Sequence, residues 1–128
     1  MPHTRIGTDL VDVETIAESV RTFGHLYLNR VFTPAEIDYC QQGGAEQSRR
    51  LAARFAAKEA CMKVLRPLDG GIPWPSIEVI KMPGGWCELQ LHGAARLLAD
   101  STGITHLSLS LSHEASMAVA VVAATVNP

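Results

Sequence analysis

Three ionisable side chains stand where a folded chain would be expected to bury them, and each is of a type that handles metal ions or phosphate. Asp9 interrupts an Ile/Leu/Val run, Lys58 falls within an apolar helical stripe, and His113 ends a run of alternating leucines. A charge placed among apolar side chains costs several kcal/mol of folding free energy unless an opposite charge or a ligand meets it. These residues are therefore the first candidates for a functional site.

Asp9 is a candidate metal ligand together with Glu59, which lies on a different predicted element. Two carboxylates suit Mg²⁺, because this ion binds few protein ligands and completes its octahedron with water and substrate phosphate. Two simpler interpretations of Asp9 stay open: a turn residue at the end of a strand, or one half of a buried ion pair.

The segment from Glu46 to Leu65 has the longest helical pattern in the chain. At about 100° per residue its large apolar side chains fall on one stripe, which includes Lys58. The apolar members of that stripe are Leu51, Phe55, Met62 and Leu65. The opposite face carries the small residues Ala53, Ala57, Ala60 and Val64. The helix is therefore predicted to bury the stripe and to let another element approach its small face closely.

Charged residues flank the stripe, with Glu59, Lys63 and Arg66 along one edge and Arg54 along the other. An ordinary explanation is open, in which Lys58 extends its ammonium group to solvent and Glu59 pairs with Lys63 on the surface.

His113 also has an ordinary explanation, as a histidine at the edge of the core. The stretch from His113 to Met117 begins like a zinc-protease motif, but Met117 stands where the second histidine is required. The sequence also lacks both the G-x-x-x-x-G-K-[ST] and the G-x-G-x-x-G phosphate-binding motifs.

Composition narrows the class of protein. The chain has 128 residues, of which 47% are hydrophobic and 19% charged, as expected for one globular domain over residues 1–128. A net charge of -2 gives no basic field for nucleic acid. Three widely spaced cysteines argue against a disulfide framework, and the longest apolar run, 115–126, is too short to span a membrane. We expect a reduced, soluble, cytoplasmic protein that binds neither nucleic acid nor membrane.

The helices and strands that must position these residues are predicted from hydrophobic periodicity and from capping and turn residues. Predicted strands cover 6–13, 76–82, 86–91, 107–112 and 117–126, and predicted helices cover 13–31, 34–42, 46–65 and 94–101. Thr33-Pro34-Ala35-Glu36 is typical of a helix start with a capping box. Helices in the first half and an antiparallel sheet mostly from the second half predict an α+β fold with a long central helix.

Three segments that contain these candidates resemble one family. They are 6–11 (IGTDLV), 54–60 (RFAAKEA) with Lys63 following, and 110–113 (SLSH). In type, spacing and order they resemble the holo-acyl-carrier-protein synthases, the short single-domain 4′-phosphopantetheinyl transferases. The resemblance implies transfer of 4′-phosphopantetheine from coenzyme A to a serine of an apo acyl carrier protein, in fatty-acid or polyketide biosynthesis. It also implies an α+β fold and a homotrimer with active sites between subunits.

Carried over to this chain, the resemblance implies that Asp9 and Glu59 bind Mg²⁺ against the pyrophosphate of coenzyme A. It further implies that Arg54, Lys58 and Lys63 hold phosphate oxygens. Glu59 and Lys63 are then the catalytic candidates, and a metal-bound water is an alternative to Glu59 as the base for the serine. His113 would approach the nucleotide from a neighbouring subunit.

The chain departs from the family pattern in three places. Pro67 follows the helix and removes a backbone N–H that could serve a phosphate, and the Arg66 guanidinium can replace it. The usual Gly-Lys/Arg-Pro turn is Gly85-Trp86-Cys87. In the segment 12–21, relatives have an arginine that docks an acidic carrier. This chain has Thr15 near that position, surrounded by Asp12, Glu14 and Glu18. We therefore predict a specialised carrier with a less acidic docking helix, such as one from a polyketide pathway. Two alternatives stay open: these acidic residues form an ordinary solvated face, or other arginines dock the carrier, namely Arg21, Arg30, Arg49 or Arg50.

Two other functions stay open. A non-catalytic module that binds coenzyme A or a nucleotide would need no pair of carboxylates. A purely structural interaction domain would leave Lys58 and Asp9 unexplained.

Overall fold

Five helices and five strands follow one another in the computed structural model, which describes residues 1–128. They are β1 (His3–Asp12), α1 (Val13–Phe23), α2 (His25–Val31), α3 (Pro34–Gln41), α4 (Gln47–Leu65), β2 (Ile77–Lys81), β3 (Cys87–Leu91), α5 (Gly93–Thr102), β4 (Ile104–Glu114) and β5 (Met117–Val126). The strands form two antiparallel sheets, one in the order β1-β5-β4 and one of β2 and β3. The predicted α+β fold with a long central helix is confirmed.

Helix α4 lies on the three-stranded sheet and forms the centre of the core. Its small face packs against β1 and β5, and β5 turns alternating alanines and valines toward it. The small face is therefore buried within the chain. The predicted close approach of another element to the small face is confirmed, and the elements that approach it are β1 and β5 of the same chain.

The predicted capping box forms at the start of α3. The Thr33 side chain accepts from the backbone N–H of Glu36, and the Glu36 carboxylate accepts from the backbone N–H of Thr33. The single helix predicted over 13–31 is two helices, because Gly24 between them has a positive φ of 54° that an α-helix cannot include.

The sheet face that points away from α4 is exposed and partly apolar. We call it the outer sheet face, and define it by Ile6, Leu10, Val119 and Val121. Ile6 and Leu10 are 71% and 62% exposed, although both are large apolar side chains of β1. A single chain therefore leaves an apolar sheet surface uncovered.

None of the five helices combines the length and the apolar character needed to cross a bilayer.

Candidate active site

Asp9, Glu59 and Lys63 meet where β1 crosses α4, and we call this group the carboxylate cluster. The Lys63 Nζ donates to the Thr8 carbonyl at 2.7 Å and to Asp9 Oδ1 at 3.3 Å. The Glu59 carboxyl lies near that of Asp9, whose negative charge helps to raise the pKa of Glu59. Two acidic groups and one lysine thus converge from two elements, as the sequence predicted.

The close approach of β1 to α4 depends on Gly7. A Cβ at this position would lie 2.2 Å from the backbone oxygen of Ala60, which cannot move without moving the helix. Alternation along β1 turns Gly7, Asp9 and Val11 toward α4. The glycine therefore lets the strand place Asp9 beside Glu59.

The two carboxyl groups disfavour each other's ionisation. Burial and the charge of Asp9 raise the pKa of Glu59, and the Lys63 ammonium only partly offsets this. A cation that binds both oxygens would relieve the repulsion. No group of three or more His, Cys, Asp or Glu side chains comes together in the chain, so Asp9 and Glu59 offer a donor set of two carboxylates. Two carboxylates fit Mg²⁺, which completes its octahedron with water and substrate phosphate.

Tyr27 was not predicted as part of this region. Its hydroxyl is buried and has no hydrogen-bond partner. Burial and the charge of Glu59 raise the pKa of this phenol to about 12. No sequence pattern indicated it, because Tyr27 lies on α2 and its ring packs edge-on against Phe32 like an ordinary core residue.

A second charged site, which we call the cationic groove, lies on the other side of α4. Its basic side chains come from α4, from the end of β2 and from the end of β4. They are Arg50, Arg54, Lys81 and His113. Tyr39 forms part of the wall, and the groove has a volume of about 280 Å³. Of these residues the sequence indicated Arg54 and His113, whereas Arg50, Lys81 and Tyr39 belong to no motif.

The carboxylate cluster and the cationic groove lie at opposite edges of the sheet. Asp9 is on edge strand β1, His113 is on edge strand β4, and β5 separates them. On α4, Arg54 and Glu59 are five positions apart, or roughly 140° around the helix axis. The structure therefore groups Arg54 with His113 and separates both of them from Glu59 and Lys63.

Lys58 does not point into either site. Its side chain is fully buried, and its Nζ lies 2.8 Å from Glu36 Oε1. The ammonium also donates to the carbonyl oxygens of Ile77 and Trp74. This arrangement does not favour the predicted contact of Lys58 with a phosphate oxygen, because the ammonium already has three protein acceptors. The anion that the apolar stripe required is Glu36 of the α3 capping box.

Arg66 ends α4 in the left-handed region with a φ of 52°, and its side chain is exposed. It follows Lys63 by three residues, just beyond the end of α4.

A larger cavity of about 730 Å³ lies between β3, α5 and β4. None of the candidate catalytic, metal-binding or phosphate-binding residues lines it. Size alone therefore does not identify the functional site of this chain.

Comparison with known proteins gives consistent matches over almost the whole chain. A family model described as the 4′-phosphopantetheinyl transferase superfamily matches residues 5–122. The holo-[acyl-carrier-protein] synthase of Koribacter versatilis is 45% identical over 115 residues, which are 89% of this chain and 91% of that relative.

Solved structures agree with these matches. The ACPS–CoA complex from Chronobacterium ammoniagenes has a TM-score of 0.87 at 29% identity, and the match covers 98% of this chain and 99% of that one. The Helicobacter pylori holo-[acyl-carrier-protein] synthase in complex with coenzyme A has a TM-score of 0.79 at 33% identity, with coverage of 94% and 99%.

Proposed function

The chain belongs to the 4′-phosphopantetheinyl transferase superfamily, and on that basis we propose that it modifies an apo acyl carrier protein with coenzyme A as donor. A serine hydroxyl of the carrier attacks the β-phosphate of coenzyme A. The products are the phosphopantetheinylated carrier and adenosine 3′,5′-bisphosphate. The observation that carries this proposal is the convergence of Asp9, Glu59 and Lys63, because phosphoryl transfer depends on positioning and charge neutralisation.

Asp9 and Glu59 are the residues that would hold Mg²⁺ against the pyrophosphate. When bound there, the ion supplies positive charge that offsets the negative charge of the transferring phosphoryl group. Lys63 adds a second positive charge from the same edge of the cluster, since its Nζ already lies 3.3 Å from Asp9. Arg66 extends this positive edge beyond the end of α4.

Glu59 is our candidate for the group that takes the proton from the carrier serine. A carboxylate oxygen of Glu59 that does not bind the ion can accept the serine proton, and a metal-bound water is the alternative base. The Glu59 side chain is half-buried, so it remains accessible to a substrate hydroxyl.

The cationic groove suits the nucleotide end of coenzyme A. Arg54, Arg50 and Lys81 offer guanidinium and ammonium donors, and His113 adds an imidazole. These are groups that bind phosphate oxygens through charge-assisted hydrogen bonds. We assign this groove to the 3′-phosphate of the adenosine moiety.

One coenzyme A molecule would have to reach both sites, although they lie at opposite edges of one sheet. We therefore propose a homotrimer in which the carboxylate cluster of one chain faces the cationic groove of the next. The outer sheet face supports this, because an assembly would cover Ile6, Leu10, Val119 and Val121. The sequence analysis expects His113 to approach the nucleotide from a neighbouring subunit. We now propose that Arg54 and His113 act from one chain, and that Glu59 and Lys63 act from its neighbour.

The surface of α1 bears on which carrier protein can dock. Helix α1 exposes Glu14 and Glu18, and its Arg21 is already paired with Glu14 at 2.6 Å. An acidic docking helix would meet these carboxylates and be repelled. We therefore propose a carrier with a less acidic recognition helix, in a cytoplasmic setting that keeps Cys40, Cys61 and Cys87 reduced.

The direct test is mass spectrometry of apo carrier proteins incubated with this protein, coenzyme A and Mg²⁺. Both a fatty-acid carrier and a polyketide-type carrier are needed, at low and high salt. We expect the phosphopantetheine mass increase on the carrier serine, lost with EDTA and with Glu59→Gln. Binding of coenzyme A without any modified carrier, independent of Mg²⁺, would instead identify a non-catalytic binding module.

A further inference from the structure

Three cationic side chains converge on one phenol ring, that of Tyr39 near the end of α3. The Cζ atoms of Arg50 and Arg54 lie 4.4 and 4.5 Å from the ring centroid. The Nζ of Lys81 lies 5.4 Å from the same centroid. A cation at such a distance from an aromatic ring is attracted to the ring's electron-rich face.

Tyr39 also holds two of the three cations through polar atoms. Lys81 Nζ donates to Tyr39 Oη at 3.1 Å, and Arg50 Nη1 donates to the Tyr39 carbonyl oxygen at 2.9 Å. Arg54 is held by Arg50 in turn, because its Nη1 donates to the Arg50 carbonyl at 3.2 Å. Tyr39 is thus the one residue in contact with every member of the cluster.

No carboxylate neutralises the cluster. Glu46 is the one acidic residue among those that line the groove, and it pairs with Arg49 at 2.9 Å. None of the cations around Tyr39 takes part in a salt bridge. Three positive charges held together without a counter-ion repel one another, and a ligand of high negative charge density would relieve that repulsion.

We propose that Tyr39 is a positioning residue that assembles Arg50, Arg54 and Lys81 for a phosphomonoester dianion. Arginine and lysine side chains lose much rotational freedom when they bind a ligand, and holding them beforehand removes part of that cost. The proposal rests on the function proposed above, in which the dianion is the 3′-phosphate of coenzyme A. Tyr39 then sets the preference for coenzyme A over dephospho-coenzyme A, which carries a neutral 3′-hydroxyl instead.

The test compares kcat and KM for coenzyme A and dephospho-coenzyme A in wild type, Tyr39→Phe and Tyr39→Leu. Loss of the ring in Tyr39→Leu should raise KM for coenzyme A about tenfold, with kcat changed by less than about twofold. The ratio of kcat/KM between the two donors should fall by a similar factor. Tyr39→Phe keeps the ring and should retain most of the preference. Lys81→Met, at an exposed position, should lower the ratio without endangering the fold.

Arg49→Met is the matched control. Arg49 is an arginine of the same helix that pairs with Glu46 and makes no contact with the Tyr39 ring, so the donor ratio should stay at the wild-type value. An unchanged ratio in Tyr39→Leu and Lys81→Met would mean either that kcat/KM falls equally for both donors or that it does not fall at all. Tyr39 would then be merely structural, and the proposal would be overturned.

Calorimetry with adenosine 3′,5′-bisphosphate and adenosine 5′-phosphate gives a readout that needs no transfer. Weaker binding of only the bisphosphate in Tyr39→Leu and Lys81→Met would support the positioning role. Equal affinity of the wild type for both nucleotides would contradict it. A wild type that prefers the bisphosphate but modifies no carrier would count against the proposed function alone.

Discussion

Gly7 of β1 and Ala60 of α4 are packed backbone against backbone, and a Cβ on Gly7 would lie 2.2 Å from the Ala60 carbonyl oxygen. Asp9 follows Gly7 by two residues, and Glu59 directly precedes Ala60. The contact therefore sets the distance between the two carboxylates of the cluster.

Gly7→Ala should destabilise the fold by about 1–3 kcal/mol, because the added methyl forces β1 away from α4. It should also weaken Mg²⁺ activation, since Asp9 and Glu59 would move apart. Urea unfolding and an Mg²⁺ titration of the transfer rate measure the two effects. Equal stability of Gly7→Ala and wild type would show that the strand can shift freely.

Lys58→Met should cost about 3–5 kcal/mol of stability, because it leaves the Glu36 carboxylate buried without its counter-charge. The double variant Lys58→Met/Glu36→Gln should be more stable than Lys58→Met alone, which urea unfolding can establish. If Lys58→Met instead kept wild-type stability and raised KM for coenzyme A, Lys58 would be the phosphate ligand that the sequence indicated.

The metal-free protein should lose stability as pH rises through the raised pKa of Glu59. A carboxyl whose pKa is higher in the folded than in the unfolded chain binds more protons when folded, so stability falls with rising pH above its ordinary value of 4.5. Glu59→Gln removes this titration. In EDTA its Tm should exceed that of wild type at pH 7 to 8, and the difference should shrink toward pH 4.5. If the Tm difference between Glu59→Gln and wild type grew as the pH was lowered, the pKa of Glu59 would be lowered in the folded chain instead of raised.

Lys63→Ala should reduce kcat/KM by an amount equivalent to about 2–3 kcal/mol of transition-state stabilisation, the scale of one preorganised charge. Lys63→Arg should restore only part of the rate, because the two cations differ in shape and hydration. Steady-state kinetics with a fixed carrier measures both. Near-normal transfer by Lys63→Ala would mean that Lys63 and Asp9 form an ordinary ion pair without a role in transfer.

Local patterns were sufficient to predict most of the secondary structure. Alternation marked β1 and β5, and the Thr33–Glu36 capping box marked the start of α3. The break at Gly24 was missed, because a helical pattern continues on both sides of it. The family was also predictable, since its motif in α4 is long and specific.

What the sequence could not provide was the pairing of residues from distant elements. Lys58 was correctly identified as a buried charge, but its partner Glu36 comes from another helix, and no spacing rule joins them. Only part of the cationic groove was predicted, for the same reason. Arg54 belongs to a motif, whereas Tyr39 and Lys81 come to the groove from distant segments when the chain folds.

The central claim is that each active site takes its carboxylate cluster from one chain and its cationic groove from another. It is tested most directly by mixing inactive variants under conditions of demonstrated subunit exchange. Glu59→Gln mixed with His113→Ala should recover activity, and so should Glu59→Gln mixed with Arg54→Met, because some sites then combine two intact halves. Arg54→Met mixed with His113→Ala should not recover, since both changes fall in the same groove. Recovery in that last pair, or none in the first two, would contradict the account.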